Sequence, residues 1–357
     1  MLRGKSLNEL AAQLQAIDET KRDVVAPLTK LSVNDDMSLR IDGDRDDVKP
    51  NNWAHSQLAD DLEIPGRYYK RLNDEAPALL AQNVRHGIAK KIDANPQASR
   101  MIRMVQGKVR AVLSSKYRIL DSSDLLRTVL PVMIDKGLQV LSSEITERKV
   151  YIKAVSPKIT SEIKRGDVVQ YGIVISSSDV GGGAVNVSPM VLRLVCDNGL
   201  IMPDSSVKQY HIGKNLAEEN VRELLSDETK EKEDLAFWMK CRDVTLSMTR
   251  EDIFQASVDR LRVAANMPVN NPDAARVVEL TTRALKLPLT EEIKQMAAAQ
   301  FAVGGDQTQW GLINAFTLAA HKVPGIDYET STALEKMGGN ILDLPKSAWS
   351  TIAASAH

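Results

Sequence analysis

The sequence predicts an α+β protein: an antiparallel β-meander packed with a helix, flanked by helical N-terminal and C-terminal regions. Three observations carry that prediction. Apolar spacing changes from a helical period to a period of two near residue 100, then returns to helical spacing after residue 215. From residue 138 the period-two runs follow one another without intervening helices, as in a meander rather than a βαβ repeat. Charge is also partitioned: residues 1–84 hold 11 Lys/Arg against 15 Asp/Glu, residues 85–214 hold 20 against 11, and residues 215–357 hold 15 against 21. Three regions follow: an acidic, mostly helical one (1–84), a basic α+β core (85–214) and an acidic helical one (215–357).

Taken in order, Leu7, Leu10, Leu14 and Ile17 predict a helix over 5–20, with Ser6 as its N-cap. The Asp-rich run 41–47 lacks the ordered oxygen ligands of a calcium loop and reads as a solvated turn. Residues 55–72 read as two short helices joined at Glu63-Ile64-Pro65, the second carrying Arg67, Lys70 and Arg71, either a scaffolding corner or a helix-turn-helix with a basic recognition helix. Ile102 and Met104, then Val109, Ala111 and Leu113, alternate around Gln106-Gly107-Lys108 and predict a hairpin with one basic face. A helix is expected from Ser122 to Lys136, capped by Asp121 or Ser122, its buried stripe running from Leu125 to Ile134 and Pro131 kinking or breaking it. Strands are expected at 138–146, 149–155, 168–176 and 184–196, with a long basic link over 156–166 and a flexible loop tip at Gly181-Gly182-Gly183. Beyond residue 215 the pattern is helical, with starts at Thr249-Arg250-Glu251-Asp252 and Thr290-Glu291-Glu292.

Much chemistry is excluded. The chain has 357 residues, a net charge of −1, two cysteines and five scattered histidines, so neither a disulfide framework nor a clustered metal site is indicated. Gly181-Gly182-Gly183 lacks the Lys-Ser/Thr of a phosphate-binding P-loop, and His211-Ile212-Gly213-Lys214 lacks the first glycine. No catalytic residue, cofactor or metal is therefore expected, and no ATP-driven chemistry. Apolar runs are short and no secretory leader is read at the N-terminus, which predicts a cytoplasmic protein with no membrane partner.

The positive signal is basic and aromatic. Arg100, Arg103, Lys108 and Arg110 lie on the first hairpin, and Lys116, Tyr117 and Arg118 follow it. On a later strand Lys149, Tyr151 and Lys153 alternate by two, with Lys158, Lys164 and Arg165 on the expected link. Cations track a phosphate backbone while aromatic faces stack bases, so these residues are candidate contacts to single-stranded nucleic acid. Tyr210 also falls in the segment, whereas Tyr171 shares a face with Val169 and Ile173 and reads as core. The competing view is that the basic block pairs with the acidic flanks, within the chain or between subunits.

Several runs are familiar together: Ser114-Ser115-Lys116-Tyr117-Arg118-Ile119-Leu120-Asp121 with Leu130-Pro131, Tyr151-Ile152-Lys153-Ala154, Gly166-Asp167-Val168-Val169, Leu192 to Leu200 around Cys196-Asp197-Asn198-Gly199, and Trp310-Gly311-Leu312-Ile313-Asn314-Ala315. The chain resembles, over residues 50–325, a phage- and plasmid-borne family of unknown function described as phage/plasmid-like proteins. A second resemblance is topological. A helix followed by a twisted antiparallel meander with Tyr171-Gly172 before Ser176 is similar to the core of single-strand annealing recombinases. That resemblance implies DNA held in a basic groove without ATP, by a homo-oligomeric ring or filament. The expectation is thus a single-strand binding, strand-annealing protein of mobile-element recombination. An interaction factor aimed at a host or phage protein, or a metal enzyme with an unmarked site, are the competing classes.

Overall fold

The computed structural model describes residues 4–43, 45–202 and 225–354. Helix α1 (Leu7–Thr20) begins with a capping box: Glu9 N–H donates to Ser6 Oγ, and Ser6 N–H donates back to the Glu9 carboxylate. Strand β1 (Lys21–Pro27), a small hairpin of β2 (Leu31–Val33) and β3 (Leu39–Ile41), and the short β4 (Lys49–Pro50) lead to helices α2 (Asn52–Asp61), α3 (Gly66–Glu75) and α4 (Pro77–Ala94). In the Asp-rich turn, Asp47 closes on the Arg40 guanidinium.

The expected hairpin is β5 (Ser99–Val105) and β6 (Lys108–Ser114). It turns at Gln106 and Gly107, with φ of 50° and 71°, the pair of left-handed residues that suits strand twist in a two-residue turn. The sheet order is β1-β5-β6-β4, with β4 parallel to β6. Leu58, Leu72, Leu80, Val84, Ile102 and Val109 share one core beneath it. The hairpin therefore packs with the acidic N-terminal helices, and the charge boundary at 84/85 is not a packing boundary.

Helix α5 (Ser122–Asp135) contains Pro131 and buries Leu125, Leu126, Val129 and Met133, whereas Ile134 turns out to solvent. Asp121 occupies its N-cap position but makes no capping bond, because its carboxylate is held by Arg103 and Lys21. Five antiparallel strands follow in chain order: β7 (Gln139–Ile145), β8 (Val150–Lys164), β9 (Asp167–Ser177), β10 (Asn186–Arg193) and β11 (Asn198–Ile201). The expected link over 156–166 is instead strand. β8 runs on to Lys164 and turns at Arg165-Gly166, with Gly166 at φ 79°. Pro157 and Lys158 fall in the interruption between Val155 and Thr160, where a missing N–H breaks no ladder bond.

The C-terminal half is helical: α6 (Asp227–Met248), α7 (Glu251–Ala264), α8 (Ala274–Ala284), α9 (Glu291–Val303), α10 (Gln309–Lys322), α11 (Tyr328–Asn340) and α12 (Lys346–Ala353). Thr290 caps α9 as read, accepting from Ile293 N–H. Thr249 instead closes α6, so α7 starts without a side-chain cap. Leu10, Leu125, Ile152, Ile173, Phe254, Phe316 and Leu334 belong to one continuous core, so the meander and the acidic helices fold as one unit. Both cysteines are free thiols; Cys241 is buried, and burial pushes its pKa up to about 12, while Cys196 is half-buried. Among the described residues, no helix is long and apolar enough to cross a membrane.

Candidate nucleic-acid interface

Most of the predicted cations are spent inside the molecule, on carboxylates that come mainly from the acidic flanks and partly from the basic core itself. Arg103 has no exposed surface. Its guanidinium donates to Asp23 at 2.9 and 3.0 Å, to Asp121 at 2.7 Å and to the Asp179 carbonyl at 2.5 Å. Burial opposes the charge on Arg103, but the hydrogen bonds to Asp23 and Asp121 outweigh it and raise the pKa. Lys153 is equally inaccessible, its ammonium 2.6 Å from Glu335 on α11 and 4.6 Å from the Tyr328 ring centre. Tyr151 is buried against Tyr328, with ring centres 5.5 Å apart. These three are corrections to the expected interface: its own carboxylate and carbonyl partners enclose Arg103, and on β8 the alternation is real but α11 covers Tyr151 and Lys153.

Four more are committed to ion pairs: Arg100 to Asp61, Arg110 to Asp179, Arg118 to Asp234 and Lys164 to Asp306. Lys108, Lys158 and Arg165 are exposed and pair with no described carboxylate, and Lys116 is exposed as well. Arg165 lies at the opposite end of β8 from Lys149, and the ladder between them runs along β9 from Asp167 to Ser177, roughly 33 Å of strand rise. Tyr210 and the His211–Lys214 run lie outside the described residues.

One group of predicted residues does converge, around the glycine loop between β9 and β10. Trp53 Nε1 and Gln57 Nε2 on α2 both donate to the Val180 carbonyl at 2.8 Å. Gly181 N–H donates to Tyr117 Oη at 3.2 Å, and Gly182 N–H to Ser178 Oγ at 2.7 Å. Gly181 and Gly183 hold φ of 78° and 146°, and a Cβ on Gly181 would stand 2.7 Å from Leu113. The loop is thus pinned along its inner side by α2, Tyr117 and Ser178, a correction to the expectation of a flexible tip. Glycine is required there for close approach as well as for backbone angle.

Two cations stand on the rim. Arg148 lies 4.4 Å over the Trp53 ring, and its guanidinium reaches Glu329 at 3.4 Å. Lys149 Nζ lies 3.3 Å from where a Cβ of Gly183 would be, half-buried, and pairs with no described carboxylate. Burial, with help from the neighbouring charges of Arg148 and Lys336, lowers its pKa and outweighs the opposing pull of the Glu329 carboxylate. Tyr117 has a different part from the one expected: its hydroxyl is taken up by the loop and its ring packs against Leu113 and Val180.

Trp53, Gln57 and Arg148 are the site residues that sequence reading missed. Trp53 lies about a hundred positions from Arg148, and no periodicity connects α2 to the turn before β8. The one available signal was Arg148-Lys149, adjacent cations just before a strand.

Residues 109–330 match the family model described as a domain of unknown function (DUF932). The chain belongs to the DUF932 family. No curated protein and no solved structure matches it. The DUF932 region begins at Val109 on β6 and takes in the glycine loop, Arg148, Lys149 and the meander, but excludes α2, α3 and α4. Trp53 and Gln57 therefore reach the loop from outside the family region. Among the described residues, no three His, Cys, Asp or Glu side chains are placed to hold a metal ion.

Proposed function

We propose that this DUF932 protein binds single-stranded nucleic acid, without nucleotide hydrolysis, at the rim of the glycine loop. The observation that carries the reading is Lys149, a half-buried cation with no described carboxylate partner, placed beside Arg148 and the exposed backbone of Gly181 and Gly183. A phosphate there would take charge from both side chains, with the Trp53 and Arg148 stack beside it. The order of helix α5 and antiparallel meander also supports the reading, since a helix followed by such a meander is what the sequence shares with the annealing recombinases it resembles. On that reading the protein is a mobile-element factor that pairs complementary strands as a homo-oligomer in the cytoplasm.

A specific observation favours the competing reading, a protein-interaction factor. Leu235, Met239 and Leu246 are exposed along one stripe of α6, while much of the basic block is paired internally.

Fluorescence anisotropy with labelled strands of about 30–40 nucleotides separates the two. Affinity should fall steeply with salt, and the Arg148→Ala, Lys149→Ala double variant should flatten the slope of log affinity against log salt by about 1.4, two phosphates' worth. Absent or salt-insensitive binding, or a double variant that binds as the parent does, would overturn the proposal and leave the interaction factor standing. Mixing complementary strands labelled with a donor and an acceptor then tests annealing, and mass photometry tests assembly on the strand.

A further inference from the structure

The segment Asn52–Glu75 has a second surface, unconnected to the glycine-loop rim. Helices α2 and α3 are joined by four residues, Leu62 to Pro65, and Glu63 takes the left-handed conformation at φ 57°. A bend of this kind, one left-handed residue between two short helices, sets them across one another. The apolar residues fit that geometry. Leu58, Ala59, Tyr69 and Leu72 are buried in the N-terminal core, with Leu62 and Ile64 packed against it. Tyr69 locks the second helix to the first, its hydroxyl 3.0 Å from Nδ1 of His55.

What remains outside is basic. Arg67, Lys70 and Arg71 occur at helical i, i+3 and i+4 spacing on the first two turns of α3, all exposed and none paired with a described carboxylate. Tyr68 is exposed beside them, with the Arg71 guanidinium 5.7 Å over its ring. A Cβ at Gly66, the first residue of α3, would meet nothing within 4 Å, so the N-terminal end of the helix stands in open space. The acids of α3, Asp74 and Glu75, lie at its far end. This is a local reversal of charge: elsewhere the molecule pairs most of its cations, and the region from 1 to 84 is acidic overall.

We infer that α2 and α3 form a helix-turn-helix that docks on duplex DNA, with the N-terminal half of α3 entering the major groove. Arg67, Lys70 and Arg71 face the duplex, and α2 holds the helix at its angle. Projection decides for a duplex over a single strand. Single strands are held in grooves with stacking platforms, whereas α3 presents an exposed basic helix end with open space before its first residue. The inference stands apart from the glycine-loop proposal, because it uses other residues and another form of DNA.

The test uses the full chain, a randomised duplex of about 25 base pairs and a single strand of the same length, at low salt. The triple variant Arg67→Ala, Lys70→Ala, Arg71→Ala removes only exposed, unpaired side chains, so its thermal unfolding should match the parent's. Its duplex affinity should fall by about tenfold or more, with its single-strand affinity unchanged. The Arg148→Ala, Lys149→Ala variant should keep duplex affinity. Absence of duplex binding by the parent, equal duplex binding by the triple variant, or equal losses on both probes would overturn the inference. Selection from the randomised pool should then enrich guanine-containing sites, which the triple variant no longer prefers.

Discussion

At the scale of single residues, Arg103 shows how a basic motif can be structural. Its side chain joins β1 through Asp23, the α5 N-cap through Asp121 and the glycine loop through the Asp179 carbonyl, so one cation ties three segments together. Arg103→Ala would leave two carboxylates facing a buried void, and we expect a loss of about 3–5 kcal/mol in urea unfolding. The same contact sets a pH dependence. Burial works against the Asp121 carboxylate, but Arg103 and Lys21 outweigh it and lower its pKa. A lowered carboxyl pKa contributes stability that is fully present above the unfolded value, about 3.9, and is lost as pH falls through the folded value. Stability measured from pH 6 downward should therefore drop below about pH 4, and Arg103→Ala should drop less steeply over that window.

Strand β8 illustrates the scale of elements. Its period-two pattern was legible, and so was its use of one face for Lys149, Tyr151 and Lys153. The pattern could not say what covers that face. An alternating strand with lysines looks half-solvated, yet α11 supplies Tyr328 and Glu335 to bury both Tyr151 and Lys153. Lys149, nearer the turn, escapes that cover and becomes the candidate contact. The Lys153–Glu335 pair is expected to behave as buried pairs do. Lys153→Met or Glu335→Leu alone should cost about 3–5 kcal/mol, and the double variant should recover most of the loss, as read by a double-mutant cycle on thermal unfolding. Full additivity of the two losses would show that the pair is not coupled.

Over the whole molecule, the division by charge and the division by packing differ. Charge separates residues 85–214 from both flanks, but the hairpin β5–β6 packs with α2 to α4, while α1, the meander and the C-terminal helices share the other core. The basic block and the acidic flanks are therefore complementary halves of one folded chain, joined by Arg118–Asp234, Lys153–Glu335 and Lys164–Asp306. A fragment of residues 85–214 alone would expose the sheet face that α11 covers and lose the partners of those lysines and arginines. We expect it to be unfolded or aggregated by circular dichroism and size-exclusion chromatography, while the full chain unfolds cooperatively. A soluble fragment with a native-like melting transition would contradict the shared core.

By itself the sequence determined the fold class, the hairpin around Gln106-Gly107-Lys108, helix α5, the first four strands of the meander and the helical C-terminal half, while β11 (Asn198–Ile201) was not expected. These follow from local periodicity and turn chemistry, which each segment carries within itself. Only the tertiary structure decided which cations remain available. Whether an arginine meets solvent or a carboxylate depends on residues up to 182 positions away, as for Lys153 and Glu335. Electrostatic pairing is a property of contacts and not of composition, so a strongly basic segment became for the most part an internal adhesive. The exposed remainder, at the glycine-loop rim and on α3, is where function is to be sought.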